Sequence, residues 1–510
     1  MEIKRWIKKK MTPSVTKDLD KVNVSKSPLL DNLEENIAYI KNELGSSTDL
    51  VIRELDLLNC SNRRAALIYV EGLVDSNQVQ DHVLKPLISE DFVNEIDQID
   101  DLVSFVKNKQ LSNSNLSERK DYEDSIFSIL NGSTLILFNG YKVAIAADTA
   151  GSEQRSVSPP EDQAVLRGPR ESFTENIRTN TALIRKKIKN KNLWISTKKL
   201  GSVSHTNVAV IYIKGIASDE VVQNVEAKLE SIQIDGVLDS GIIEQLIEDS
   251  PLSPFPTIYH SERPDIIAAG LMEGRVAVAV DGSPFVLIAP AVFIQFFQAP
   301  EDYYERTDYG LLRLLRIFSF FIALVGPSLY IALTTFHQEM IPTELFISIA
   351  AGRQSVPFPT VIEALIMEST FEILREAGLR MPRAVGQAVS IVGALVIGQA
   401  AVDAGIISPS MVIVVSITAI ASFVLPAYNM GLSVRILRFP LMIISASFGL
   451  FGIFIGLGLL IIHLCSLQSF GVPYLSPVSP FKSNYQQDTL VRFPKLGLLM
   501  PRSLIKKLKR

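Results

Sequence analysis

Few residues in this chain have the type and spacing that chemistry needs. The five histidines, His82, His205, His260, His337 and His463, are scattered, and the two cysteines, Cys60 and Cys465, stand far apart. That spacing supplies neither a disulfide framework nor a thiolate zinc site. No P-loop, no GxGxxG after a strand, no GxSxG elbow and no HExxH occurs. No enzyme activity and no cofactor are therefore expected. What is left is a run of carboxylates and small polar residues between Arg353 and Val402. Pro359 is a good helix-start signal, and on the helix that follows it Glu368, Glu372, Arg375 and Glu376 share one face. Glu363 falls instead among Ile366, Met367 and Leu374, on the apolar face. A carboxylate placed so near a membrane is a functional candidate. The competing reading is that Glu363 only complements the helix dipole close to the N-terminus.

Residues 384–402 carry no charge before Asp403 and are long enough to cross a bilayer. On a helical wheel Gly386, Gln387, Ser390, Gly393, Ala394 and Ala401 lie together, and Val385, Val389, Val392 and Val396 form an apolar stripe. One reading packs the small face against a neighbouring helix. The other lets one face line an ion path, with Gln387 and Ser390 hydrating ions or the valines forming a constriction that gates by dewetting. The candidate pore-lining or gate residues are Val385, Gln387, Val389, Ser390 and Val392, with Glu363 as the candidate membrane-embedded carboxylate.

The elements that position these residues follow from composition. The mean hydropathy of +0.24 is high and the charged fraction of 20% low for a chain of 510 residues. Charges concentrate in residues 31–310, whereas 317–481 hold long apolar runs. The expected fold class is an α/β soluble N-terminal half followed by an α-helical polytopic membrane domain at 306–470, between a flexible basic lead at 1–29 and a basic tail at 471–510. Four runs pass the length test for a span: Ile317–Phe336, Ala384–Val402, Ser410–Met430 and Phe439–Cys465. Tyr303, Tyr304, Tyr309, Arg313 and Arg316 read as an interfacial anchor before the first run. In the last run, Gly452 and Gly456 have the spacing that lets helix backbones approach. Four spans keep both termini in the cytoplasm but place Arg375, Arg380, Arg383, Arg435 and Arg438 outside, against the positive-inside rule. The basic N-terminus lacks the apolar stretch of a signal peptide. A net charge of −4 argues against nucleic acid as a partner.

The N-terminal half repeats itself. Ile68-Tyr69-Val70-Glu71-Gly72-Leu73 returns as Ile211-Tyr212-Ile213-Lys214-Gly215-Ile216, roughly 140 residues later. Gly132 and Asn139-Gly140 return as Gly274 and Asp281-Gly282, and Pro160-Glu161-Asp162 as Pro300-Glu301-Asp302. The expectation is two duplicated α/β subdomains, 30–165 and 166–305. Asp75 and Ser218 head a helix in each. A type I′ hairpin is expected at Asn139-Gly140, and its counterpart at Asp281-Gly282. In this register Phe285–Ala289 is the outer strand of the second hairpin rather than a membrane segment, which leaves Val292–Phe297 to touch the membrane. Between the copies, Arg155, Arg167 and Arg170 either bind an anionic ligand or headgroup or belong to a loop salt-bridged between subdomains or between protomers.

Four longer stretches carry a resemblance: RPDIIAAGLMEGRVAVAVDGSPFVLIAP (263–290), QRSVSPPEDQAVLRGPRESF (154–173), PFPTVIEALIMESTFEILREAGLRMP (357–382) and VGQAVSIVGALVIGQAAVDAGIISPSMVIVVSITAIASF (385–423). They closely resemble the A subunit of the GerA-type spore germination receptors, and the likeness runs over nearly the whole chain after about residue 30. The resemblance implies residence in the inner spore membrane with the N-terminal half in the cytoplasm, or spore core. It implies a complex with a transporter-like, nutrient-binding B subunit and a lipoprotein C subunit. It also implies a homo-oligomeric ring in the lipid bilayer acting as a nutrient-gated cation channel. The alternative within the same complex is a non-conducting scaffold or signal-transmitting subunit.

Overall fold

The computed structural model describes residues 27–56, 64–89, 102–107, 115–151, 168–299, 309–381 and 396–481, with isolated positions between them. Two five-stranded sheets occupy the first half. One is built from β1 (Leu50–Asp56), β2 (Arg64–Val70), β3 (Leu116–Arg119), β4 (Ser133–Phe138) and β5 (Ala144–Asp148), in the order β1-β2-β4-β5-β3. The other holds β6 (Leu193–Leu200), β7 (Thr206–Ile213), β8 (Tyr259–Ser261), β9 (Val276–Val280) and β10 (Val286–Ala289), in the order β6-β7-β9-β10-β8. The plan is the same in both, and every pairing is antiparallel.

Both faces of each sheet are covered, as the near-continuous apolar strands demand. Along β7, Val208 and Val210 point to one core with α5 (Asp219–Glu230) and α6 (Ser240–Ile247), whereas Ala209, Ile211 and Ile213 point to another with α4 (Ile177–Lys187) and α7 (Pro264–Met272). That split is the period-2 alternation of a strand. In the first sheet Ala66 and Ile68 face α1 (Leu33–Glu43) and α3 (Tyr122–Leu130), and Ala65 and Leu67 face the helix at 76–87, here α2.

The repeat extends to buried polar groups. Asn36 on α1 binds both backbone groups of Leu30, at 3.0 and 2.7 Å, and Asn180 on α4 does the same to Thr174, at 2.8 and 2.6 Å. The Asn-Gly and Asp-Gly turns differ from the two-residue hairpin expected. Pairing stops at Ile136↔Ile145 and Ala279↔Val286, so each loop is longer. The turn residues are committed elsewhere. Asn139 Oδ1 accepts from Leu33 N at 3.3 Å, and Asp281 Oδ1 from Ile177 N at 3.1 Å, so each caps the first helix of its own copy. Asp75 caps α2 through Asn77 N, at 2.9 Å, whereas Ser218 makes no side-chain cap bond. Residues 286–289 form a strand, but β10 lies between β9 and β8 rather than outermost. The two copies are joined by the buried Arg185, which donates to Asp49 Oδ1 at 2.9 Å and through Nε to the other oxygen.

The second half is helical. Among the described residues, two helical stretches are long and apolar enough, by length and composition, to cross a membrane, Leu311–Thr335 and Tyr428–Ser466, the second interrupted at Gly449. The first belongs to α8 (Tyr309–Thr335). The expected interfacial anchor is corrected here. Arg313 and Arg316 are buried, and both pair with Asp302, at 3.2 and 3.0 Å, because two guanidinium groups beside an apolar layer need a counter-charge. Tyr303, Tyr304 and the Tyr309 side chain lie outside the described residues. The 3₁₀ turn Phe293–Phe297 packs Phe293 and Phe297 edge-on against Phe320 of α8, with centroids 5.8 and 5.4 Å apart.

After α8 come α9 (Thr343–Arg353), α10 (Thr360–Arg380), α11 (Pro409–Phe423) and α12 (Tyr428–Ser466). Two expected spans change. Ser410–Met430 is divided, since α11 ends at Phe423 ahead of Pro426. Phe439–Cys465 is no single span, because Gly449 leaves helical geometry at φ +61° and α12 folds back on itself. Its two ends meet one loop: the Ser433 hydroxyl donates to the Pro254 carbonyl, and His463 Nε2 lies 2.9 Å from Ser253 Oγ. A straight helix would separate residues 433 and 463 by about 45 Å. The arms are close enough that a Cβ on Gly456 would sit 2.6 Å from Leu441 Cδ1, which explains the paired glycines. Beyond α12 a strap returns to the second sheet. Ser469 Oγ donates to Thr257 O at 2.6 Å and accepts from Ala291 N at 3.0 Å, and Phe470 and Tyr474 are buried.

Candidate functional site

The carboxylates of α10 do not divide as the helical wheel suggested. Glu363 and Glu368 are both fully buried, Glu372 is half-buried, and Glu376 is exposed, bound to Arg380 at 2.6 Å. Three charged contacts run along the helix. At its start, Glu363 Oε1 accepts from Ser408 N at 2.6 Å and from the Ser408 hydroxyl, on the residue that caps α11. The other oxygen, Oε2, stands 3.8 Å from Arg353 Nε at the end of α9. Farther on, Arg438 Nη1 donates to Glu368 Oε2. One turn later Arg435 Nη1 donates to Glu372 Oε2 at 3.0 Å. Arg375 closes the line, its guanidinium 4.5 Å from the centre of the Phe423 ring.

The arrangement follows from helix geometry. Glu368 and Glu372 are four apart on α10, and Arg438 and Arg435 are three apart on the first arm of α12, so both pairs form at once only if the helices run antiparallel. Leaving one such buried charge without its partner costs about 3–5 kcal/mol. Arg435 and Arg438 were read above as loop charges set against the positive-inside rule. They lie within the helical layer instead, neutralised by Glu372 and Glu368, and carry no topological information. Arg375 is likewise inside the layer, and Arg383 lies outside the described residues.

The buried charges are incompletely bonded. Among the described residues, Glu363 Oε2, Glu368 Oε1, Arg353 Nε, Arg375 Nη1, Arg438 Nε and the Thr360 hydroxyl have no hydrogen-bond partner. Native interiors satisfy most such atoms; Arg185 Nη1, beside Asp49, is also left without a hydrogen-bond partner among the described residues, so this line stands out by the number of such atoms in one place.

Of the residues singled out from sequence, Glu363 is thus placed at the α9–α10–α11 junction. Val385, Gln387, Val389, Ser390 and Val392 lie outside the described residues, as do Arg155 and Arg167. The sequence reading missed Glu368, Glu372, Arg435, Arg438 and Arg353 as one constellation. A signal existed: two arginines three apart inside an apolar run require buried partners, and α10 supplied carboxylates at the complementary spacing.

Comparison with known proteins gives this constellation a setting. The family model described as Bacillus/Clostridium GerA spore germination protein matches residues 38–499. Spore germination protein KA of Bacillus subtilis (strain 168) is 50% identical over 464 residues, 91% of this chain and 85% of that protein. Spore germination protein GerLA of Bacillus cereus is 42% identical over 465 residues, 91% of this chain and 94% of that one. The crystal structure of the N-terminal domain of the A subunit of the Bacillus megaterium spore germinant receptor GerK3 covers 53% of this chain and 100% of that chain, at 38% identity and a TM-score of 0.43. The chain belongs to the Bacillus/Clostridium GerA family of spore germination proteins.

Proposed function

We propose that this chain is the A subunit of a nutrient-sensing germination receptor and forms its ion-conducting part. It would act as a homo-oligomer in the inner spore membrane, multi-pass, with the N-terminal half facing the spore core. A nutrient-binding B subunit and a lipoprotein C subunit complete the receptor in this reading, and the subdomain limits near residues 165 and 305 belong to it. The observation that carries it is the line of buried, incompletely bonded charges from Glu363 to Arg375, in a layer otherwise made of apolar helices. Ionisable groups inside such a layer mark ion or proton paths more often than they add stability.

Residues 384–402 supply the pore wall in this reading. One face of that helix lines the path: either Gln387 and Ser390 offer oxygen atoms to a passing ion, or Val385, Val389 and Val392 form a constriction. Shortening one valine, Val389→Ala, should leak monovalent cations and trigger germination without nutrient. If changes along 385–396 alter only the amount of protein, the pore assignment falls. A second reading, a non-conducting scaffold that transmits the signal, draws on the two tight pairs Glu368–Arg438 and Glu372–Arg435, which hold α10 to α12 as a structural clamp does. It predicts no cation flux through receptor-containing liposomes, with partners and nutrient present.

A further inference from the structure

We propose that the Glu363 carboxylate is a binding site for a monovalent cation, and that in this conformation the guanidinium of Arg353 occupies it as a tethered plug. The proposal deepens the conducting reading and rests on it. Four observations carry it. Glu363 is fully buried, yet among the described residues only one of its oxygens is hydrogen-bonded, to Ser408 N at 2.6 Å and to the Ser408 hydroxyl. The anchored oxygen fixes the carboxylate in place, and the free one carries charge that must be balanced. Among the described residues, the charge nearest that oxygen is Arg353, and the contact is loose. At 3.8 Å, Nε makes no hydrogen bond, whereas a close N⁺–H···O⁻ contact lies near 2.8 Å.

The plug is also mounted on a movable part. α9 buries none of its residues, and Arg353 ends it, with its side chain 23% exposed. Swinging it aside would break no close bond at Nε. The donors left behind are hard oxygens: Glu363 Oε2 and the Thr360 hydroxyl, which has no hydrogen-bond partner among the described residues and lies one turn earlier on the same face of α10. One carboxylate with a neutral oxygen balances a single positive charge. A divalent ion would keep an uncompensated charge in the layer, and no group of three or more His, Cys, Asp or Glu residues able to hold a metal occurs among the described residues. The site therefore suits an alkali cation, and Arg353 competes with it for the same oxygen.

The test uses the whole receptor, full chain with its partner subunits, in vesicles loaded for rubidium flux. Wild type with nutrient must pass rubidium; if it does not, the conducting reading fails and this proposal with it. Given that flux, Arg353→Gln should raise nutrient-free rubidium passage on the order of tenfold. Glu363→Gln in the same chain should remove that increase, because the site is then gone. Arg353→Lys, which keeps the charge and covers the case in which Arg353→Gln fails to accumulate, should leak to an intermediate degree. Arg380→Gln, which disturbs an exposed pair on the same helix, should leave basal flux at the wild-type level. The proposal is overturned if Arg353→Gln and Arg353→Lys both match wild type without nutrient. It is overturned equally if the leak persists in the double variant.

Discussion

The paired asparagines of the sheet half and the α10 carboxylates of the helical half are buried in opposite ways. In the sheets, Asn36 and Asn180 are fully buried, and each has its amide oxygen and nitrogen bound to one backbone residue, Leu30 or Thr174. In the helical layer, Glu363 and Glu368 are equally buried, yet each leaves one oxygen without a hydrogen-bond partner among the described residues. A fully bonded polar group specifies one arrangement of its neighbours, whereas a half-bonded one leaves room for a second. The contrast separates a platform that holds shape from a layer that has reason to change it.

The contrast breaks most readily at Arg438. Arg438→Leu strands the Glu368 carboxylate and should cost about 3–5 kcal/mol, read as lost membrane-inserted protein and a lowered thermal midpoint. Replacing both partners, Glu368→Leu with Arg438→Leu, should recover most of that loss, since an apolar pair suits the layer. A recovered fold with impaired nutrient response would assign the pair to function; unchanged stability in Arg438→Leu alone would show that the layer does not depend on it. In the sheets the matching pair is Asn36→Ala and Asn180→Ala. Each removes both bonds to a backbone segment and should cost roughly 2–4 kcal/mol. Asn36 Oδ1 also accepts from the buried Tyr122 hydroxyl on α3, a bond between helices with no counterpart at Asn180 among the described residues, so Asn36→Ala should cost the more, and equal losses would mean that the Tyr122 bond adds nothing.

Much of the sheet half was legible because its signals are local. Each copy of the Ile68–Leu73 and Ile211–Ile216 repeat, each Asn-Gly or Asp-Gly turn and the alternation along β7 is written in a run of a few residues. Even so, the turn type was misjudged. Asn139 and Asp281 cap helices that begin about a hundred residues earlier, a demand that no local pattern shows. The helical half hid more. Glu372 and Arg435 are 63 positions apart and Glu368 and Arg438 70 apart, so each charge alone looked like a surface or loop residue. The fold-back at Gly449 was obscured by its setting, since a glycine in an apolar run reads equally well as close packing. Only its φ of +61° and the return of His463 to the loop that holds Ser433 reveal a hairpin.

The smallest expected effect lies where the two halves meet. Glu248 Oε1 accepts from Thr257 N at 2.9 Å and from the Thr257 hydroxyl at 3.0 Å, and the Thr257 carbonyl receives the strap through Ser469. Burial pushes the Glu248 carboxyl above the usual carboxylate range, against the pull of the two Thr257 bonds. The folded state then holds that proton more tightly than the unfolded chain does. Its contribution to stability is greatest below the unfolded pKa, falls as the pH rises toward the raised folded value, and stays low above it. Both Thr257 bonds end on one oxygen, which glutamine also supplies. Glu248→Gln should therefore keep the bonds and drop the charge, gaining less than about 1 kcal/mol at pH 7 once partial exposure is discounted. Thermal midpoints of the two proteins should converge near pH 4 and separate as the pH rises. A glutamine variant that is less stable than wild type at pH 7 would show that the seam needs the ionised carboxylate, and would place it with the charge line of the helical layer rather than with the platform.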